Sequence, residues 1–138
     1  MSTEYKKPLP RPLDPGLTEP FWEAAKRHEF ILPHCKTCDN VFWYPRSECP
    51  NCMSNDIDWV RGNGRGRVHT FTIIRQPGHP GFIDDVPYIY AIIQLEEGPR
   101  MISNVVDCPI EDVKIDMPVV AVFDDITPEW TLIKFKPA

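Results

Sequence analysis

The chain has 138 residues, a net charge of −5 and 42% apolar residues, enough for one ordinary domain or two very small modules sharing a core. No window holds the ~20 apolar residues needed to span a bilayer, and the N-terminus lacks the charge, apolar run and cleavage site of a secretory signal, so a cytoplasmic protein without a membrane partner is expected. The acidic balance, with a pI near 5.3, argues against a dedicated nucleic-acid binder, which must neutralise phosphates with Lys and Arg.

Sixteen prolines, more than twice ordinary usage, remove ladder donors and break helix interiors, so short strands, turns and extended segments must dominate. Residues 1–17 carry Pro8, Pro10, Pro12 and Pro15 among charged residues and read as an extended arm. Thr18 offers a helix N-cap, Glu19 and Pro20 suit a first turn, and Leu17 can staple onto Trp22. With Phe21, Trp22, Ala25 and His28 at helical spacing, a helix is expected within 18–29. Residues 30–60 place five cysteines' worth of metal chemistry but for Cys108: four thiols lie between the aromatic-rich pieces Phe30–Leu32, Val41–Tyr44 and Ile57–Val60, a ribbon of small strands closed by turns. Gly62, Gly64 and Gly66, interleaved with Arg61, Arg65 and Arg67, mark a junction. Beyond it, within 61–138, five segments rich in β-branched and aromatic residues read as strands: Val68–Ile74, Tyr88–Leu95, Met101–Val106, Val119–Phe123 and Thr131–Phe135. Glu97-Gly98-Pro99 is a tight turn. Residues 107–118 are a longer connection, with room for one helical turn at Pro109–Val113. Five strands with a longer crossing after the third fit an OB-type barrel, so the fold class is mainly β: N-terminal helix, ribbon, barrel.

Cys35-x-x-Cys38 and Cys49-x-x-Cys52 are separated by ten residues. Zinc takes four tetrahedral ligands, and each Cys-x-x-Cys turn presents two sulfurs to one ion; iron competes for the same sulfurs. In a reducing compartment such pairs are metal ligands more often than disulfides. Four thiolates leave no open position, so Zn2+ would be structural and would supply folding energy to a segment too small for its own core. His34 then reads as a neighbouring packing histidine.

Nothing in the sequence makes a catalytic set. Cys108 has no base placed beside it and reads as a small buried thiol at a strand end. Asp84-Asp85 and Asp124-Asp125 read as solvated loop acids, and His69 and His79 have no evident nucleophile. Arg61, Arg65 and Arg67 can either cradle a phosphate-bearing ligand or simply solubilise a glycine-permitted bulge. The segment from Gln76 to Pro87 is long enough to be a binding loop, and Phe82 and Ile83 would be exposed there unless covered.

The ordered combination of helix, Cys-x-x-Cys–x10–Cys-x-x-Cys ribbon, Gly64-Arg65-Gly66-Arg67-Val68 and barrel resembles the acyl-CoA-associated zinc-ribbon/OB-fold family. Further matches are Phe21-Trp22, Pro45-Arg46, Cys49-Pro50-Asn51-Cys52, Thr70-Phe71-Thr72, Leu95 to Arg100 and Val105 to Cys108. The resemblance runs from about residue 10 to the C-terminus. It implies a rubredoxin-like ribbon and a non-catalytic accessory subunit of a thiolase-superfamily enzyme, such as a thiolase or a lipid-transfer-protein-like retro-aldolase, with acyl-CoA as a shared substrate. Under that reading Arg65, Arg67, His79 and Phe82 would lie near CoA, and Phe82, Ile83 and the proline-rich arm would meet the partner. Two other classes remain open at this point. One is a nucleic-acid-binding ribbon/OB module, against which stand the eight basic and eleven acidic residues of the barrel region. The other is a free-standing acyl-CoA enzyme dependent on Cys108 or His79.

Overall fold

The computed structural model describes residues 5–138. Helix α1 spans Pro15–Lys26, three residues ahead of the expected span, because Asp14 and not Thr18 caps it. Asp14 Oδ1 accepts from the Leu17 N–H at 3.3 Å, and Pro15 takes the first helical position, where a missing N–H costs nothing. The arm accordingly stops short of residue 15, and Pro20 lies inside the helix, not in its first turn. Phe21, Ala24 and Ala25 form its buried face. The helix ends in a Schellman turn: Glu29 N donates to Ala24 O and His28 N to Ala25 O, both at 2.9 Å, with His28 in the left-handed region at φ 61°.

Strand β1 (Ile31–Cys35) pairs antiparallel with β2 (Ile57–Arg61). The expected third ribbon strand at Val41–Tyr44 is not one. Val41 makes a single bridge to His34, and the chain then turns to set the Trp43 ring 4.7 Å from that of Phe21. Aromatic packing against α1 has overridden local strand propensity.

Five further strands follow: β3 (Arg65–Ile74), β4 (Tyr88–Leu95), β5 (Arg100–Val105), β6 (Pro118–Asp125) and β7 (Thr131–Pro137). They close in the order β3-β4-β5-β7-β6, with β3 meeting β6 from Arg65↔Val120 to Arg67↔Pro118. This is the OB-type barrel expected from the sequence. At Gly66 the barrel wall is too tight for a side chain: a Cβ there would stand 2.6 Å from Gln94 O and 2.8 Å from Ile93 Cγ2. A bulge between Val68 and Thr70 sharpens the curl of β3. The 106–117 crossing holds two hydrogen-bonded turns, Asp112 N to Pro109 O at 2.9 Å and Met117 N to Lys114 O at 3.3 Å, and buries Val113.

Val68, Ile89, Ala91, Ile93, Leu95, Met101, Val105, Val119 and Phe135 fill the interior, as inward alternation on each strand requires. Phe30 and Leu32 from the ribbon and Phe21 from the helix belong to the same cluster, and the Phe30 ring stands edge-on to Phe135 at 6.5 Å. Helix, ribbon and barrel thus share one core. No helix in the described residues is long and apolar enough to cross a membrane.

Candidate functional site

The ribbon brings Cys35, Cys38, Cys49 and Cys52 together, with their sulfurs within 4.8 Å of one another. The two knuckles are built alike. Asp39 N donates to Cys35 O at 2.8 Å and Met53 N to Cys49 O at 2.9 Å; Cys35 N donates to Asn40 O and Cys49 N to Ser54 O, each at 2.8 Å. Asp39 and Met53 occupy the same left-handed conformation, φ 65° and 66°. Four thiolates at ~2.3 Å from a tetrahedral ion stand about 3.8 Å apart. The Cys35–Cys52 and Cys38–Cys49 sulfurs are each separated by 3.6 Å, so the residues fit a structural zinc.

The sulfurs are also electrostatically prepared. Cys38 N points at Cys35 Sγ (3.5 Å), Asn51 N at Cys49 Sγ (3.3 Å), and Asn51 Nδ2 at Cys38 Sγ (3.5 Å). Burial raises the Cys49 thiol, but the backbone N–H groups of Cys52 and Asn51 outweigh it and bring the pKa down to about 6. Cys52 is pushed the other way, to about 12: the Ser54 backbone lowers it, but burial and the three neighbouring sulfurs prevail. Cys35 is lowered, first by the Cys38 backbone N–H. A set that stabilises thiolate in part and crowds negative charge elsewhere suits a dication. His34 is no ligand: Nε2 meets Asp39 at 2.5 Å and Nδ1 meets Asp58 at 2.7 Å, tying the first knuckle to β2. Hydrogen bonds donated to Asp39 first and then to Asp58 raise its pKa.

The residues expected near CoA do not converge. Arg65 and Arg67 are exposed near the start of β3, whereas His79 and Phe82 lie in the 75–87 loop after its end. Seven residues of strand from Arg67 to Ile74 separate the groups by about 23 Å, too far to share one phosphate. Arg67 donates to the Asp116 carbonyl at 3.0 Å. Arg65, Val120 and Lys136 form one cross-strand row.

The loop is covered by the arm. Phe82, expected to be exposed, is half-buried, with Lys7 Nζ 5.5 Å from its ring centre; Lys7 also pairs with Asp85 at 2.6 Å. The arm lies so close to Gly81 that a Cβ there would stand 2.5 Å from Lys6 O. His79 Nδ1 accepts from Gly81 N at 2.9 Å, capping a short 3-10 turn at Pro80–Phe82. Ile83 remains exposed, as expected, and so does His79.

The other reactive side chains are also accounted for. Cys108 is half-buried and near Pro109 O (3.4 Å), and burial, with Asp112, raises its pKa. Three of the four paired acids are clasps and not merely solvated: Asp85 holds Lys7, Asp124 holds Lys134 at 2.6 Å, and Asp125 takes His28 Nε2 at 2.9 Å and the Thr131 hydroxyl at 2.5 Å.

Sequence reasoning missed an apolar groove. A groove of 410 Å³ lies between α1 (Phe21, Trp22), the Trp43-Tyr44-Pro45 turn, and strands β5 and β7. It opens because β5 and β7 pair only at Val105↔Phe135; below that point Ser103 Oγ reaches Ile133 O at 2.9 Å. A signal was present: along Tyr88–Leu95 the outward positions Tyr90 and Ile92 are as apolar as the inward ones, and Ile102 repeats this on β5. Trp43 Nε1 and Glu97 Oε1, in residues lining the adjacent ribbon–barrel crevice, are buried without a partner among the described residues.

Two family models match the chain: the ChsH2 rubredoxin-like zinc ribbon domain over residues 22–58 and the ChsH2 C-terminal OB-fold domain over 59–124. A probable enoyl-CoA hydratase alpha subunit of Thermomonospora curvata is 35% identical over 99% of this chain and 44% of its own length. The chain therefore spans less than half of that relative. A DUF35 domain-containing scaffold protein of Methanocaldococcus jannaschii is 38% identical, covering 74% of this chain and 73% of the relative. Among solved structures, a chain described as "Ltp2-ChsH2(DUF35) aldolase" superposes with a TM-score of 0.83 at 34% identity, over 92% of this chain and 98% of that one.

Proposed function

The chain belongs to the ChsH2/DUF35 family of zinc-ribbon and OB-fold proteins, and on that premise we propose that it is a non-catalytic accessory subunit of an enzyme complex acting on acyl-CoA. The observation that carries this reading is the filling of both places where chemistry could occur. The sulfur shell has four ligands and no free position, and the barrel interior is packed with Val, Ile, Leu, Met and Phe side chains. What remains is surface, so the chain works by binding.

The names of its relatives support an enzyme complex and differ over the chemistry: one is an aldolase, the other a hydratase subunit. The match covers 44% of the hydratase subunit's length, and the hydratase activity in that subunit's name is not carried over to this chain. We take the catalytic partner to be a thiolase-superfamily enzyme making or breaking a C–C bond beside a CoA thioester, as the sequence resemblance implies. Arg65 and Arg67 are the groups we assign to the CoA phosphates, since guanidinium binds phosphate as a bidentate fork and Lys136 adds charge in the same row. A nucleic-acid role is disfavoured by the OB face formed by β4 and β5, where such modules carry cations and stacking rings. Here Tyr90 supplies a ring, but Ile92 and Ile102 stand beside it, and Arg100, the cation at the edge, is engaged by Gln94 at 2.9 Å.

Co-expression with a thiolase-superfamily subunit from the same genome, followed by assay of the purified material, tests the proposal. A stoichiometric complex with CoA-dependent cleavage or condensation, absent from either chain alone, is the expected result. Turnover by the isolated chain would refute it. Arg65→Glu with Arg67→Glu should raise the complex's acyl-CoA KM; an unchanged KM removes the phosphate assignment.

A further inference from the structure

We infer that the groove beside α1, continued onto the outward faces of β4 and β5, is the seat of the catalytic partner subunit. The inference rests on the accessory-subunit reading and assigns it a surface. An antiparallel barrel strand normally turns polar residues to water, yet Tyr90 and Ile102 face outward at 40% and 45% exposure, and Tyr44 on the adjoining turn is 47% exposed. With Trp22 from α1 they form one continuous apolar surface on a chain in which 25% of residues are charged.

Charge identifies the occupant. Of the residues lining the groove only Lys134 is ionic, and Asp124 neutralises it at 2.6 Å. A phosphate backbone or a CoA nucleotide would find no cation there. An uncharged, apolar patch of a protein subunit loses no ionic hydration on docking and gains contact with three rigid aromatic rings, the residue types that dominate protein interfaces. The Arg65–Val120–Lys136 row adjoins the groove at its β7 edge, since Lys136 stands two residues beyond Lys134, so a subunit seated here would border the proposed CoA-phosphate residues.

The test measures the dissociation constant between purified chain and the same co-expressed subunit for Ile102→Asp, Tyr44→Ala and, as a control on the exposed 106–117 crossing, Ile115→Ser. Ile102 and Tyr44 are exposed, so both variants should keep wild-type melting temperature and zinc content; if Ile102→Asp does not fold, Tyr44→Ala alone decides. Weakening by about thirtyfold or more in the groove variants, with Ile115→Ser unchanged, supports the assignment. Equal affinity in all variants overturns it while the accessory reading stands, because the wild-type complex has formed. Failure of the wild type to bind overturns both. Quenching of the isolated chain's tryptophans by micromolar octanoyl-CoA, abolished by Tyr44→Ala, would make the groove an acyl pocket and overturn the inference.

Discussion

Gly81→Ala is expected to release the N-terminal arm without unfolding the barrel. The new Cβ would stand 2.5 Å from Lys6 O and 2.9 Å from both Lys6 C and Lys7 Cα. Ordinary contact needs roughly 1 Å more, and all three atoms are backbone, so no side-chain rotation relieves the clash. The arm must lift, which breaks the Lys7–Asp85 pair and moves Lys7 from the Phe82 ring. An exposed ion pair contributes about 0.2–1 kcal/mol and an exposed cation–π contact about 0.5–1 kcal/mol, together about 1–2 kcal/mol. That is about a 5- to 30-fold rise in the detached population. Limited trypsin digestion followed by mass spectrometry reads it: the Lys6–Lys7 bond should be cut faster by that factor, since cleavage follows the open population when opening is fast. The bonds after Lys7 and Arg11 precede proline and resist trypsin, so loss of residues 1–6 is a clean signal. The melting temperature should barely change, because none of the barrel's core side chains is touched. Equal cleavage rates would refute the contact, and a large fall in melting temperature would show that the arm belongs to the cooperative core.

Two further outcomes follow from the clasp and the metal site. Cys49→Ser should lose zinc, measured by elemental analysis, and lower the melting temperature of the whole chain. About 10–16 kcal/mol of apparent binding energy is available to such a site, and Phe30 and Leu32 of the ribbon pack in the common core; full zinc content in the variant would refute the four-ligand assignment. The Asp125 carboxyl is held below its ordinary value, first by the Thr131 hydroxyl and then by His28, against a small effect of burial. A depressed carboxyl stabilises the fold above its unfolded pKa, near 4, and that contribution is lost as pH falls through the lower folded value. Thr131→Val should therefore flatten the acid limb of a melting-temperature profile below about pH 4. Identical profiles would show that Thr131 does not hold the charge.

The four metal ligands, the five barrel strands and the tight turn at Gly98 were legible because each depends on local chemistry: a spacing, a period of two, a residue tolerant of φ 115°. The helix was legible too, but its start was not. Asp14 and Thr18 are both good caps, and the choice fell to the residue that let Pro15 sit at the first position. The ribbon's third piece looked like a strand by composition; only packing against Phe21 decided that Val41–Tyr44 would bridge once and turn away.

What no local rule could supply was the pairing of distant segments. Lys7 with Asp85 and His28 with Asp125 are separated by 78 and 97 residues, and each acid read alone was a loop carboxylate. The separation of Arg65 from Phe82 follows from β3 running between them, so the arginines and the loop residues expected near CoA stand at opposite ends of one strand. The groove arises where β5 and β7 meet at a single residue pair and α1 lies alongside. Its components were visible one by one, but a surface made by three elements exists only once the chain has closed, because burial depends on neighbours in space and not on neighbours in sequence.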